Sequence, residues 1–200
     1  MFTGLVEETG RVQALAQNNA TGIWTLRIAA QKTAGGATTG DSIAVNGCCL
    51  TVTARDAGAL AFDVLDETLR KTSFRLLRPG AAVNLERSLL PATRMGGHFV
   101  SGHVDGTGEV VFFAPDGANH RLRIRPGREF LKYLAYKGSV AVDGISLTVA
   151  ALNDDAGTFD IWLIPHTLAA TNLGERRAGD PVNLEFDLLA KYVERLAALR

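Results

Sequence analysis

Apolar and polar residues alternate along this chain in short runs. Ile23-Trp24-Thr25-Leu26-Arg27-Ile28 and Leu60-Ala61-Phe62-Asp63-Val64 read as strands, and β-branched runs flank Asn46-Gly47 and Asp143-Gly144. Asn, Asp and Gly tolerate the positive φ of a tight turn, so each pair predicts a hairpin. Runs broken by turn residues roughly every 8–12 positions predict an all-β barrel or sandwich. Helical spacing stands out in two places. From Pro126 to Tyr136 it sets Phe130, Leu131 and Leu134 on one face, and after Asp187, a candidate N-cap, it lines up Leu188, Leu189, Tyr192, Val193, Leu196 and Leu199. That last stripe either docks on the preceding barrel or drives self-association.

The pattern is written twice. Ser42-Ile43-Ala44-Val45-Asn46-Gly47-Cys48-Cys49-Leu50-Thr51-Val52 returns as Ser139-Val140-Ala141-Val142-Asp143-Gly144-Ile145-Ser146-Leu147-Thr148-Val149, with seven of eleven positions identical at an offset of 97. Gly4, Val6, Thr9, Gly10 and Val12 return at an offset of 98, and Gly80-Ala81-Ala82-Val83-Asn84-Leu85-Glu86 returns as Gly179-Asp180-Pro181-Val182-Asn183-Leu184-Glu185. Two modules follow, over residues 1–97 and 98–187, with a terminal helix over 188–200. Leu89 to Gly97 reads as the linker. Because the counterpart of the N-terminus lies inside the chain, Met1 to Val6 is expected to be held as a first strand. Gln31 to Gly40 reads as a glycine-rich loop, with no helix to match the one in the second half.

Composition narrows the function. The 21 acidic and 21 basic side chains cancel, which leaves no electrostatic footprint for nucleic acid or an anionic membrane. No apolar run approaches the ~20 residues of a bilayer span, and the N-terminal residues lack the basic head of an export signal. Adjacent Cys48 and Cys49 would form only a strained disulfide, so both are expected as thiols in the cytoplasm. His98 and His103 with these cysteines do not reproduce zinc-ligand spacings, and no metal site is expected.

Together, Met1-Phe2-Thr3-Gly4, Asn46-Gly47-Cys48-Cys49-Leu50-Thr51-Val52, Gly96-Gly97-His98-Phe99-Val100-Ser101-Gly102-His103-Val104, Asp143-Gly144-Ile145-Ser146-Leu147-Thr148-Val149 and Leu163-Ile164-Pro165-His166-Thr167 resemble the alpha chain of riboflavin synthase along the whole length. The resemblance implies two tandem six-stranded Greek-key barrels from an internal duplication, plus a C-terminal α-helix that assembles a homotrimer. It places the substrate site between barrels of neighbouring subunits and implies association with lumazine synthase. The implied reaction is dismutation of two molecules of 6,7-dimethyl-8-ribityllumazine, one giving a four-carbon unit to the other. No external cofactor is implied, because the heterocycle is its own electron sink. Holding two like substrates at reacting distance is an effect worth up to ~7–11 kcal/mol.

The resemblance also assigns roles. Cys49 and Ser42 fall at the reacting ring, as contact, nucleophile or proton donor; taken alone, Cys49 reads as a small apolar filler. His103, aligned with Leu5, suits removal of a proton from the acidified 7-methyl group, against the plain alternative of a structural hydrogen bond. His98 is the weaker candidate. Lys137 falls against ribityl or ring oxygens, and Thr51, Ser146 and Thr148 offer hydroxyls. The lining comprises Gly4-Leu5-Val6, Cys48-Cys49-Leu50-Thr51, Gly102-His103-Val104 and Ser146-Leu147-Thr148. Asp63-Val64-Leu65-Asp66-Glu67-Thr68 and Leu163-Ile164-Pro165-His166-Thr167-Leu168 form equivalent walls, with His166 opposite Glu67. Cys48 aligns with Ile145 and reads as packing, and Asp143 and Asp187 serve either as turn and cap or in positioning.

Two other functions compete with the synthase. A non-catalytic lumazine- or flavin-binding relative would lose reactive side chains that this chain keeps. A flavoenzyme reductase would need an Arg-x-Tyr-Ser/Thr motif and a Gly-x-Gly-x-x-Gly segment, both absent.

Overall fold

Asn46 and Asp143 take φ values of 42° and 45°, followed by Gly47 at 78° and Gly144 at 77°, so both hairpin signals are realised as tight turns. The computed structural model describes residues 1–199, and Arg200 of the terminal segment lies outside them. In the first half β1 (Glu8–Gln17), β2 (Trp24–Ala29), β3 (Ser42–Val45), β4 (Cys48–Asp56), β5 (Ala59–Val64) and β6 (Ala82–Arg87) close a barrel in the order β1-β2-β5-β4-β3-β6. Two short helices, α1 (Lys32–Gly36) and α2 (Asp66–Lys71), interrupt the strands. Alternation decides what fills it: Ile43, Val45, Leu50, Val52, Leu60 and Phe62 point inward.

The second half has β7 (Gly106–Asp116), β8 (Asn119–Arg125), β9 (Ser139–Val142), β10 (Ile145–Thr148), β11 (Ala151–Asn153), β12 (Thr158–Leu163) and β13 (Pro181–Phe186), with α3 (Pro165–Ala170) after β12. The order β10-β9-β13-β7-β8-β12-β11 is the first ring with its fourth strand in two pieces. Six strands were expected and seven are found. At the break the Val149 N–H turns to the Gly138 carbonyl (2.9 Å) and the Ala150 N–H to that of Asp160 (2.8 Å). The first half takes the same corner with a bulge between Val52 and Ala54.

Three further expectations change, and one open alternative is decided. Met1 to Val6 forms no strand; Phe2 alone bridges to Val100, its own counterpart, and both are fully buried. The loop over 31–40 contains α1. The helix expected over 126–136 is a 3-10 turn at Arg128–Tyr133, whose three-residue period sets both Phe130 and Tyr133 on Phe186, with ring centroids 5.1 and 5.7 Å away. The terminal helix, α4 (Leu188–Ala197), is capped by Asp187, which accepts from the Leu189 N–H at 2.9 Å, but its apolar stripe does not dock on the barrel.

The barrels meet about a pseudo-two-fold axis. An added Cβ on Gly47 would lie 2.8 Å from the Gly144 nitrogen, so the two turns touch and tolerate no side chain there. Around them hydrogen bonds come in reciprocal pairs. Asn84 donates to the Asp143 carbonyl and Asn183 to that of Asn46, both at 2.9 Å.

Candidate active site

β4 and β5 are paired up to Val52 and Phe62, and both run on past that pair, β4 back to Cys48 and β5 forward to Val64. Cys48 and Leu50 point into the core, which leaves Cys49 and Thr51 on the outer face. Across the ladder β3 sets Ala44 against Cys49 and Ser42 against Thr51. The thiols therefore differ. Burial, with lesser contributions from Cys49 and Glu185, pushes Cys48 up to about 12, an inert core group, while Cys49 is half-buried.

Over this face lies a loop from the other barrel. The Cys49 N–H donates to the Gly102 carbonyl at 2.8 Å, and a Cβ added to Gly102 (φ 83°) would sit 2.5 Å from the Cys49 Cβ. The same contact occurs with the halves exchanged. The Ser146 N–H donates to the Gly4 carbonyl at 2.8 Å, and a Cβ added to Gly4 (φ 77°) would sit 2.6 Å from the Ser146 Cβ. The loop leading into each barrel thus crosses the outer face of the other's hairpin. Exposed His103 is brought to the Cys49 side, and exposed Leu5 to the Ser146 side.

Polar groups differ between the two faces. His98 Nδ1 lies 2.7 Å from the Ser146 Oγ, and its Nε2 is buried without a partner among the described residues. Burial pulls its pKa below the ordinary value, against the opposing carboxylates of Asp187 and Glu185, so the ring is neutral near pH 7. Lys137 takes φ 64° where the first half uses Gly40 at 96°, and their N–H groups make matching bonds, Gly40 to the Val52 carbonyl and Lys137 to that of Val149. Holding a lysine in a conformation that suits glycine costs about 1–2 kcal/mol. Its Nζ lies 5.3 Å from the Tyr136 ring centroid.

The expected walls follow β5 and β12. Val64 and Leu163 anchor them in the cores, while Leu65 and Ile164 stand 67 % and 55 % exposed, an apolar rim that a planar ring can cover. Glu67 lies in α2 and His166 in α3, both at exposed positions. The registers Trp24 with Val64 and His120 with Leu163 make Asp63 the counterpart of Trp162, so the walls are equivalent one residue off the expected alignment. Trp162, not singled out from the sequence, donates from Nε1 to Asp116 at 2.6 Å and lies under Arg121. Ser42 and Leu5 border a cavity of about 470 Å³ with Asp41, Arg87 and Arg94; Cys49 and His103 do not line it. Asp143 is a fully buried turn carboxylate, and Asp187 caps α4.

A family model described as the lumazine binding domain matches residues 3–88 and again residues 101–187. The chain belongs to the lumazine-binding domain family. Among similar members, the riboflavin synthase of Mycobacterium tuberculosis is 46 % identical over 98 % of each chain. That of Actinobacillus pleuropneumoniae is 42 % identical over 98 % of this chain and 89 % of its own, and that of Schizosaccharomyces pombe is 43 % identical over 98 % and 93 %. The family fold is matched by LumP complexed with riboflavin, with a TM-score of 0.84, 25 % identity, and 93 % of this chain and 99 % of that one covered. LumP complexed with 6,7-dimethyl-8-(1'-D-ribityl) lumazine gives a TM-score of 0.82 at 25 % identity, covering 92 % and 98 %. Among the described residues no helix is long and apolar enough to cross a membrane.

Proposed function

We propose that this chain is a riboflavin synthase. It converts two molecules of 6,7-dimethyl-8-ribityllumazine into riboflavin and 5-amino-6-(D-ribitylamino)uracil by passing a four-carbon unit from one to the other. The observation that carries this reading is the exchange of leading loops, Gly102 over Cys49 and Gly4 over Ser146, which gives one chain two pockets of the same build and different chemistry. Two identical substrates that must act as donor and acceptor require such a pair. Identity of 42–46 % to riboflavin synthases, against 25 % to LumP, favours the enzyme over a carrier of the same fold.

In this reading the first pocket comprises Cys49, Thr51 and the Asp63–Thr68 wall under His103, and the second comprises Ser146, Thr148, Lys137 and the Leu163–Leu168 wall under Leu5. His103 takes a proton from the 7-methyl group of one lumazine, which turns that carbon into a nucleophile. Cys49 and Ser42 contact the donor or acceptor ring, and Lys137 holds ribityl or ring oxygens by charge-assisted hydrogen bonds. Electrons balance within the pair of heterocycles, since the unit lost by one is gained by the other. The domain limits belong to the same proposal: barrels over 1–97 and 98–187, and an oligomerisation helix over 188–200.

A homotrimer, in which a neighbouring copy brings its second pocket against the first, is supported by the uncovered apolar stripe of α4. A cytoplasmic setting is supported by two free thiols. Purified protein given the lumazine alone, without oxygen, should form riboflavin at one per two lumazines consumed. Absence of flavin fluorescence would overturn the assignment.

A further inference from the structure

The two leading loops are held by a pair of buried carboxylates that none of the assigned roles uses. In the second half Glu185, 3 % exposed, accepts from the Ser101 N–H and Oγ–H on Oε1, both at 2.6 Å, and from the Gly102 N–H on Oε2 at 2.9 Å. The Ser101 Oγ in turn accepts from the His103 N–H at 3.3 Å. In the first half Glu86, 6 % exposed, repeats the arrangement. It accepts from the Thr3 N–H and Oγ1–H at 2.7 Å and from the Gly4 N–H at 3.0 Å, and Thr3 Oγ1 accepts from the Leu5 N–H at 3.1 Å.

Neither carboxylate is ion-paired among the described residues, so each spends its acceptor capacity on one turn of backbone and one hydroxyl. An amide cannot substitute. Gln offers one acceptor oxygen, and its NH₂ would face a backbone N–H. Two clamps of one design hold two loops whose next residue differs, His103 in one and Leu5 in the other.

We infer that Glu185 and Glu86 are positioning residues, each fixing the loop that covers the opposite barrel's pocket, so that Glu185 acts on turnover through His103 while Glu86 acts on substrate retention through Leu5. This rests on the proposed synthase activity for its kinetic half only. Because Gly102 presses on Cys49, releasing Glu185 uncovers the thiol whether or not the protein turns over lumazine.

The test compares Glu185→Gln and Glu86→Gln in the full chain, with Ser101→Ala as a milder variant that removes one donor to Glu185 and the acceptor of the His103 N–H. Misplacing a reacting group by about 1 Å costs about 10²-fold, so Glu185→Gln should lower kcat by that order with KM little changed, and Ser101→Ala should move the same way by less. Glu86→Gln should raise KM about tenfold or more with a smaller change in kcat, as expected for lost ground-state contacts. Without substrate, iodoacetamide should alkylate Cys49 faster in Glu185→Gln and Ser101→Ala than in wild type or Glu86→Gln, read by peptide mass. Equal kinetic effects of both Gln variants, or an alkylation rate that neither Glu185→Gln nor Ser101→Ala changes, would overturn the positioning roles. Failure of wild type to turn over lumazine while Cys49 still becomes reactive would sink the synthase reading and leave the clamp standing.

Discussion

Asp143 and Arg176 form an ion pair, Oδ2 to Nη2 at 2.6 Å, with the carboxylate wholly buried where the two barrels meet. Their counterparts in the first half are Asn46 and Leu77, so one copy carries a charge pair where the other carries an amide and an apolar side chain. Asp143 also accepts from the Asn183 N–H at 2.8 Å and from Asn172 Nδ2 at 2.9 Å within its own half, and its backbone carbonyl accepts from Asn84 Nδ2 of the first half at 2.9 Å. Removing Arg176 alone would strand a buried carboxylate. Arg176→Leu is expected to destabilise by about 3 kcal/mol. Adding Asp143→Asn, which restores the first copy's neutral chemistry, should recover most of that loss, as read from urea midpoints. A double variant no more stable than Arg176→Leu would show that the charge of Asp143 is not what the arginine offsets.

The neighbouring thiols should separate cleanly. Cys48 lies in the first core with its pKa pushed up to about 12 by burial, so Cys48→Ala should cost about 1–2 kcal/mol of stability and leave turnover near wild type. Cys49→Ala should do the opposite, lowering kcat with little change in the unfolding midpoint. Equal losses of rate in the two variants would remove Cys49 from the reacting face.

His98 carries a pH dependence of known sign. Its folded pKa is lowered, mainly by burial, while the unfolded chain titrates near the ordinary histidine value of ~6.5. Between those values the unfolded state binds a proton that the folded state does not. The stabilisation is therefore complete above the ordinary value and is lost as pH falls through it toward the folded value. His98→Asn keeps a polar atom near Ser146 and cannot titrate, so it should flatten the fall in urea midpoint between about pH 7.5 and about pH 5. Parallel slopes for variant and wild type would mean that His98 protonates freely in the folded protein.

Much of this was legible because it is local. Asn46-Gly47 and Asp143-Gly144 demand a positive-φ turn whatever surrounds them, and period-two alternation sets the strand faces. What escaped reading depends on distant partners. Helix α1, in a glycine-rich run of poor propensity, is held by Glu8, which accepts from the Thr33 N–H at 2.9 Å and the Thr33 hydroxyl at 3.0 Å. His98 looked weak because its importance comes from Ser146, 48 residues on. The backbone is let past by Gly97, where a Cβ would stand 2.8 Å from that of Ser146. The crossing of leading loops has no local signature, although the repeat of Thr3-Gly4 as Ser101-Gly102, with Glu86 and Glu185 at matching places, shows that both copies share whatever it requires.

The uncovered stripe of α4 makes the assembly testable. The helix is tied to its own barrel by its polar side, with Lys191 to Asp105 at 2.7 Å and Glu194 to both Lys132 and Tyr133. Leu189, Tyr192, Val193, Leu196 and Leu199 are left 62–67 % exposed. Burying such surface yields roughly 25 cal/mol per Å², a gain absent from the fold of a single chain. Leu189→Glu combined with Leu196→Glu should therefore leave the Asp187 cap and the circular dichroism unchanged, while sedimentation shifts from the proposed trimer to a monomer and the unfolding midpoint falls with the lost association. Turnover should fall with it, as the proposed pairing of pockets between neighbouring copies requires. An unchanged mass would remove α4 from the assembly. A monomer that keeps full turnover would place both lumazines within one chain.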